Sequence, residues 1–137
     1  MSKTVNTPKS KVSGTKYGRV VGNIATAQPL MVLPKDAIIS GVYLIGAANA
    51  TAAATDTTLT VSCGSDADGV LNAYNLETGG AGYNVAGTAA GSSVGVKLTT
   101  DCKVNATLSA AVAGDAALSW TVKVEYVMPG SGETLTS

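Results

Sequence analysis

An all-β fold, an antiparallel sandwich of about eight strands, is predicted by three observations on this 137-residue chain. Apolar and polar residues alternate with period two in several runs, the spacing that puts one face of a strand inside and the other outside. Gly, Asp and Pro separate those runs at short intervals. No run carries a convincing helical stripe. Hydrophobic residues make up 45% and charged residues 13%, against roughly a quarter charged in an average domain. Phe is absent and aromatics are 4%, so Val, Leu, Ile and Ala must build the core. The length suits one domain that needs neither metal nor disulfide to fold.

Residues 1–16 read as a flexible basic arm: Lys, Ser, Thr and Asn around one Pro, without periodicity. Order is expected from Tyr17, with the sandwich over 17–130 and a loose polar tail over 131–137. YGRVVGNI, 17–24, is the first strand, short and β-branched. LMVL, 30–33, follows, and Pro34 stops it because proline cannot donate to a ladder. Lys35-Asp36 completes the turn.

The stretch LPKDAIISGVYLIG, 33–46, holds the third strand. Strict alternation sets Ile38, Ser40, Val42 and Leu44 on one face and Ile39, Gly41, Tyr43 and Ile45 on the other. Both faces are apolar. Such a strand is covered on both sides, or one face meets the core and the other meets a second chain.

Residues 47–56 mix Ala with Thr and Asn and form a loop. TTLTVSC, 57–63, turns Leu59, Val61 and Cys63 inward, and GSDADG, 64–69, is a turn. VLNAYNL, 70–76, is a strand. Residues 77–93, rich in Gly, Ala and Ser, form a long surface loop with room for a short strand at Tyr83 and Val85. SVGVKL, 93–98, and CKVNATLSAAV, 102–112, alternate again. In ALSWTVKVEYVM, 117–128, Leu118, Trp120, Val122, Val124, Tyr126 and Met128 share one face. Eight such strands with long crossings suit a jelly roll of two Greek keys. An immunoglobulin-like sandwich is the alternative, although its Cys, Trp, Cys order is lost because Trp120 follows both cysteines.

The chain contains no His, which removes Ser-His-Asp triads, Cys-His pairs and imidazole metal sites. Neither a catalytic nor a cofactor-binding constellation is expected, nor a metal site. Asp66 and Asp68 look like a fragment of a calcium loop, but Val70 and Leu71 stand where ligands should continue. GGAG within 77–84 lacks the Lys-Ser/Thr of a phosphate loop. Cys63 and Cys102 are too few and too far apart for zinc. In a reducing cytosol they are expected to be buried thiols, and a disulfide requires their strands to be neighbours.

Net charge is zero, unevenly spread. Residues 1–19 carry Lys3, Lys9, Lys11, Lys16 and Arg19 and no acid, while the remainder has four bases and nine acids. The arm can therefore seek an acidic surface. Five phosphate contacts would give only weak, salt-sensitive binding, so nucleic acid is not the expected partner. No run is long enough to span a membrane, and MSKTVNTPKSK has no apolar signal core, so synthesis and assembly in a cytosol are expected.

In this order, the Leu-Pro turn, the AIISGVYL run, DTTLTVSCGSDADG and a closing LSWTVKVEYVMPG resemble small β-proteins of tailed-bacteriophage heads. The resemblance spans about residues 29–76 and 93–130. It implies a jelly-roll decoration or cement protein without an active site or cofactor, made in the bacterial host cytoplasm and bound to the outer surface of the capsid. Its partners would be the major capsid protein and itself, as a dimer or trimer. Lys3, Lys9, Lys11, Lys16, Arg19, Ile39, Tyr43 and Ile45 are then the expected contacts. The competing expectation is a receptor- or carbohydrate-binding module of a phage fibre or tail. It calls for an exposed aromatic cluster, which one inward Trp does not supply.

Overall fold

The computed structural model describes residues 13–22, 25–50, 57–110 and 118–129. Eight strands carry the fold: β1 (Ser13–Val21), β2 (Gln28–Leu33), β3 (Ile38–Gly46), β4 (Thr58–Cys63), β5 (Asp66–Asn75), β6 (Gly82–Val85), β7 (Cys102–Leu108) and β8 (Ser119–Val127). One helical turn, α1 (Leu76–Gly79), and a 3-10 turn at 87–89 lie between β5 and β7. The strands form two four-stranded sheets, ordered β1-β8-β3-β6 and β2-β7-β4-β5. All six strand pairings among the described residues are antiparallel: β1 with β8, β2 with β7, β3 with β6 and β4 with β5, completed within the sheets by β3 with β8 and β4 with β7. A long hairpin wrapped across two sheets has this pairing, and it is the expected jelly roll.

The core lies between the sheets and is aliphatic apart from Trp120 and the two cysteines. Leu33, Leu44, Leu59, Val61, Val104 and Val122 are among its fully buried members, each contributing on the order of 1.5–3 kcal/mol of apolar transfer energy. The Trp120 indole N–H donates to the Ala48 carbonyl at 2.9 Å, so burying the ring orphans no donor. Alternation reads correctly in β4, β7 and β8, where Leu59, Val61, Cys63, Val104, Ala106, Leu108, Trp120, Val122 and Val124 all face inward.

The structure departs from the sequence reading at several places. β1 begins at Ser13, so residues 13–16, assigned to the arm, pair with Val127 to Val124 of β8. Residues 1–12, and residues 130–137 with the expected tail over 131–137, lie outside the described residues. SVGVKL is not a strand. Gly95 sits at φ +84°, a left-handed conformation that breaks an extended run. The Val94 and Val96 amides bond back to Gly91 and Ser93 as turns, and only isolated bridges tie Val94 and Lys97 to β3. The 77–93 stretch carries the short strand expected at Tyr83 and Val85, β6, and in addition α1, whose first amides are capped by the Asn75 side chain.

Strand β3 slips in register between Ile39 and Gly41. A bulge of this kind inserts one residue and reverses the alternation beyond it. Ile39 therefore faces inward with Val42 and Leu44 and is 0% exposed. It is parted from Tyr43 and Ile45, with which strict alternation had grouped it. Cys63 and Cys102 close their strands differently from the buried-thiol expectation as well. β4 and β7 are neighbours, the two Cα atoms stand 5.5 Å apart, and the cysteines are joined as a disulfide.

The bulge sets a clear expectation for stability. Ile39→Ala should cost about 2–5 kcal/mol as a core truncation, and Ile45→Ala, on the half-buried outer face, about 1 kcal/mol. Urea unfolding of the two variants measures both, and equal costs would contradict the face assignment.

Candidate interaction face

The outer face of the β1-β8-β3-β6 sheet gathers most of the protein's tyrosines. Register places Tyr17 and Tyr43 on either side of Lys123, with Val85 beyond Tyr43. In the adjacent row Arg19, Thr121, Ile45 and Tyr83 lie side by side. Tyr17 is 59%, Tyr83 56% and Val85 66% exposed. The sheet thus presents aromatic and aliphatic groups on its outer face.

Electrostatics fixes the centre of this face. The Lys123 ammonium donates to the Tyr83 hydroxyl at 2.8 Å and pairs with Glu125 at 3.4 Å. It also lies 5.1 Å from the Tyr43 ring centre and 5.2 Å from that of Tyr83, within range of cation–π attraction. The Tyr43 hydroxyl donates to Glu125 at 3.1 Å, and the Tyr43 and Tyr83 rings meet at 5.4 Å, tilted by 39°. The Glu125 carboxylate accepts the phenol's hydrogen bond and repels its anion, which raises the Tyr43 pKa. The Tyr83 hydroxyl and Glu125 hold Lys123 protonated and raise its pKa as well. A general-base lysine needs the opposite shift.

The expected contact residues divide. Tyr43 and Ile45 lie on this face, and Arg19 joins them from β1. Ile39 is in the core. Lys16 is half-buried on the inward side of β1, in step with Gly18 and Val20. Lys3, Lys9 and Lys11 lie outside the described residues. Tyr17, Tyr83 and Lys123 were missed. Tyr83 sat inside a stretch read as loop, and only the alternation of Tyr83 with Val85 pointed to a strand.

The Asp66-Asp68 turn is part of β5. Asp66 accepts hydrogen bonds from the Ser92 and Ser93 hydroxyls at 2.7 and 2.8 Å, and Asp68 from Ser92 at 3.2 Å. Those donors lower the Asp66 pKa and pin residues 91–93 to the sheet. Among the described residues no three His, Cys, Asp or Glu come together, and no helix is long and apolar enough to cross a membrane.

No protein-family model and no curated protein matches the sequence. Solved structures do. The chain is similar to one in the capsid asymmetric unit of cyanophage Pam1, with a TM-score of 0.66 and 25% identity over 93% of this chain and 92% of that one. It is similar to a chain of the Ralstonia phage GP4 capsid, with a TM-score of 0.64 and 20% identity over 96% and 92%. A chain of the acid-stable capsid of Helicobacter pylori bacteriophage KHP30 shares the fold, with a TM-score of 0.62 and 18% identity over 86% and 89%. The fold and these likenesses define a jelly-roll β-sandwich of the kind found in phage capsids, and support a structural protein of a virion.

The raised pKa values carry a sign. A group whose folded pKa lies above its unfolded one contributes stability in full below the unfolded value and loses it as pH rises through the folded one. For Tyr43 and Lys123 that window opens above about pH 10. In a spectrophotometric tyrosine titration, Glu125→Gln should move one late-titrating phenol to lower pH. An unchanged titration would mean that Glu125 does not govern Tyr43.

Proposed function

We propose that this chain is a decoration or cement protein, bound to the outside of an icosahedral phage head and stabilising contacts between major capsid proteins. The observation that carries this reading is the near full-length likeness to a chain of the Pam1 capsid asymmetric unit. The tyrosine face supports it. Tyrosines on a rigid sheet give contact area at low entropic cost, which suits docking in many copies. The partners are the major capsid protein and further copies of this chain. Tyr43, Ile45 and Arg19 contact them, and Lys3, Lys9 and Lys11 add a salt-sensitive attraction to an acidic capsid surface. No step of chemistry is assigned to the protein.

A second reading has its own observation. Exposed Tyr83 against Tyr43, with exposed Tyr17 across Lys123, offers the aromatic cluster that a carbohydrate- or receptor-binding module of a fibre or tail requires. Immunogold labelling of particles separates the two. Regular label over the heads supports decoration, label confined to tails or fibres supports adhesion, and absence of label rejects both.

Binding of purified protein to undecorated heads gives the residue-level test. Tyr43→Lys should weaken it at least tenfold while the variant still melts cooperatively. A variant that unfolds instead would make Tyr43 a packing residue. Deleting residues 1–12, which spares β1, should weaken binding at low salt and matter progressively less as salt rises. Unchanged low-salt binding would remove the arm from the interface.

A further inference from the structure

We propose that the Cys63–Cys102 disulfide closes after the domain has folded, as an oxidative lock acquired outside the reducing cytosol. The timing rests on the virion role proposed above; the chemistry does not. The ladder between β4 and β7 places Cys63 opposite Val104, two residues from Cys102. Strand pairing alone thus brings the two Cα atoms to 5.5 Å, inside the range that a disulfide spans without backbone movement. The Gly64 amide bonds to the Lys103 carbonyl at 3.0 Å beside them, so hydrogen bonds hold this corner whether or not the sulfurs are joined.

Access is also provided. The cysteines are 6% and 3% exposed, but both line an open surface cavity of about 250 Å³ with Ser65, Ser93, Lys97 and Asp101. The cavity is open to solvent, and oxidation requires the disulfide end of a thiol oxidant such as oxidised glutathione to reach the sulfurs there. One thiolate attacks it, forms a mixed disulfide and releases one glutathione. The second thiolate then displaces the other glutathione. Overall two thiols lose two electrons and two protons, and one glutathione disulfide becomes two thiols.

The bond closes a loop of sequence separation 39, which contains β5, α1, β6 and the Gly-rich stretch. Closing a loop of that length restricts the unfolded chain. A particle outside its host has no means of refolding its proteins, so the benefit falls after release.

The test uses the full chain made in a bacterial cytoplasm, lysed into an alkylating agent. Intact mass should show two alkyl groups. After incubation with oxidised glutathione and removal of the excess, the protein should be two mass units lighter than its reduced form and refuse alkylation. Its melting temperature should rise by roughly 10 °C, with unchanged circular dichroism. Cys63→Ala/Cys102→Ala should melt cooperatively near the reduced protein. A disulfide already closed in the cell, thiols still alkylatable after oxidant, no change in melting temperature, or a reduced form that is unfolded at 25 °C would each overturn the proposal. Failure to bind heads would touch only the decoration reading.

Discussion

The indole of Trp120 is the packing constraint on which much else in this domain depends. It is the one large aromatic fully inside, and the backbone gives way around it. A Cβ on Gly46 or Gly80 would run into the ring. In register Trp120 lies opposite Gly46 of β3 and Val20 of β1, and its N–H reaches Ala48. One side chain therefore fixes the central strand, both of its neighbours and the connection after β3. The rest of the core is aliphatic and short, so it depends on the sheet spacing that this ring sets.

The same constraint extends to the surface. Gly80 follows α1 directly, and the chain around it is tied down by Tyr74 donating to the Gly79 carbonyl at 2.8 Å and by the Asn84 amide donating to Gly79 and Ala81. That anchored turn delivers β6 to the free edge of β3 and sets Tyr83 against Tyr43. The outward tyrosine cluster is thus a consequence of how the interior is packed. A cavity or clash near Trp120 would be felt at Tyr83 through a few residues of well-bonded chain.

This coupling explains what the sequence could and could not disclose. Strands with one buried face and regular pairing were legible from alternation alone, as in β4, β7 and β8. Strand number and long crossings pointed to a jelly roll beside an immunoglobulin-like alternative, and the strand pairing decides between them. Legibility failed where the backbone leaves the regular pattern. At Ile39–Gly41 an added residue reverses the faces, and at Gly95 a left-handed residue interrupts an apparently perfect alternation. Residues 13–16 looked like arm because polar residues on an edge strand carry little apolar signal. Half of the face was visible, since Tyr43 and Ile45 stand in an apolar strand. Tyr17, Tyr83 and Lys123 come from three other strands, and only the pairing brings them together.

The two outer surfaces of the sandwich are chemically unequal, which bears on how the domain can meet a partner. The β2-β7-β4-β5 sheet shows small polar pairs, Thr60 with Thr107 and Ser62 with Asn105, groups that hydrate well, and an exposed Val32 on β2 opposite Lys103, but no tyrosine cluster among the described residues. The opposite sheet shows tyrosines whose geometry is already set by Lys123 and Glu125, so little side-chain entropy remains to be lost on binding. Its edge strands are β1 and β6, and residues 1–12 precede β1, which begins at Ser13. Fully extended, twelve residues reach at most about 40 Å. Under the proposed decoration role, a partner covering the tyrosine face would lie within range of Lys3, Lys9 and Lys11. A partner on the opposite sheet would not meet the tyrosines.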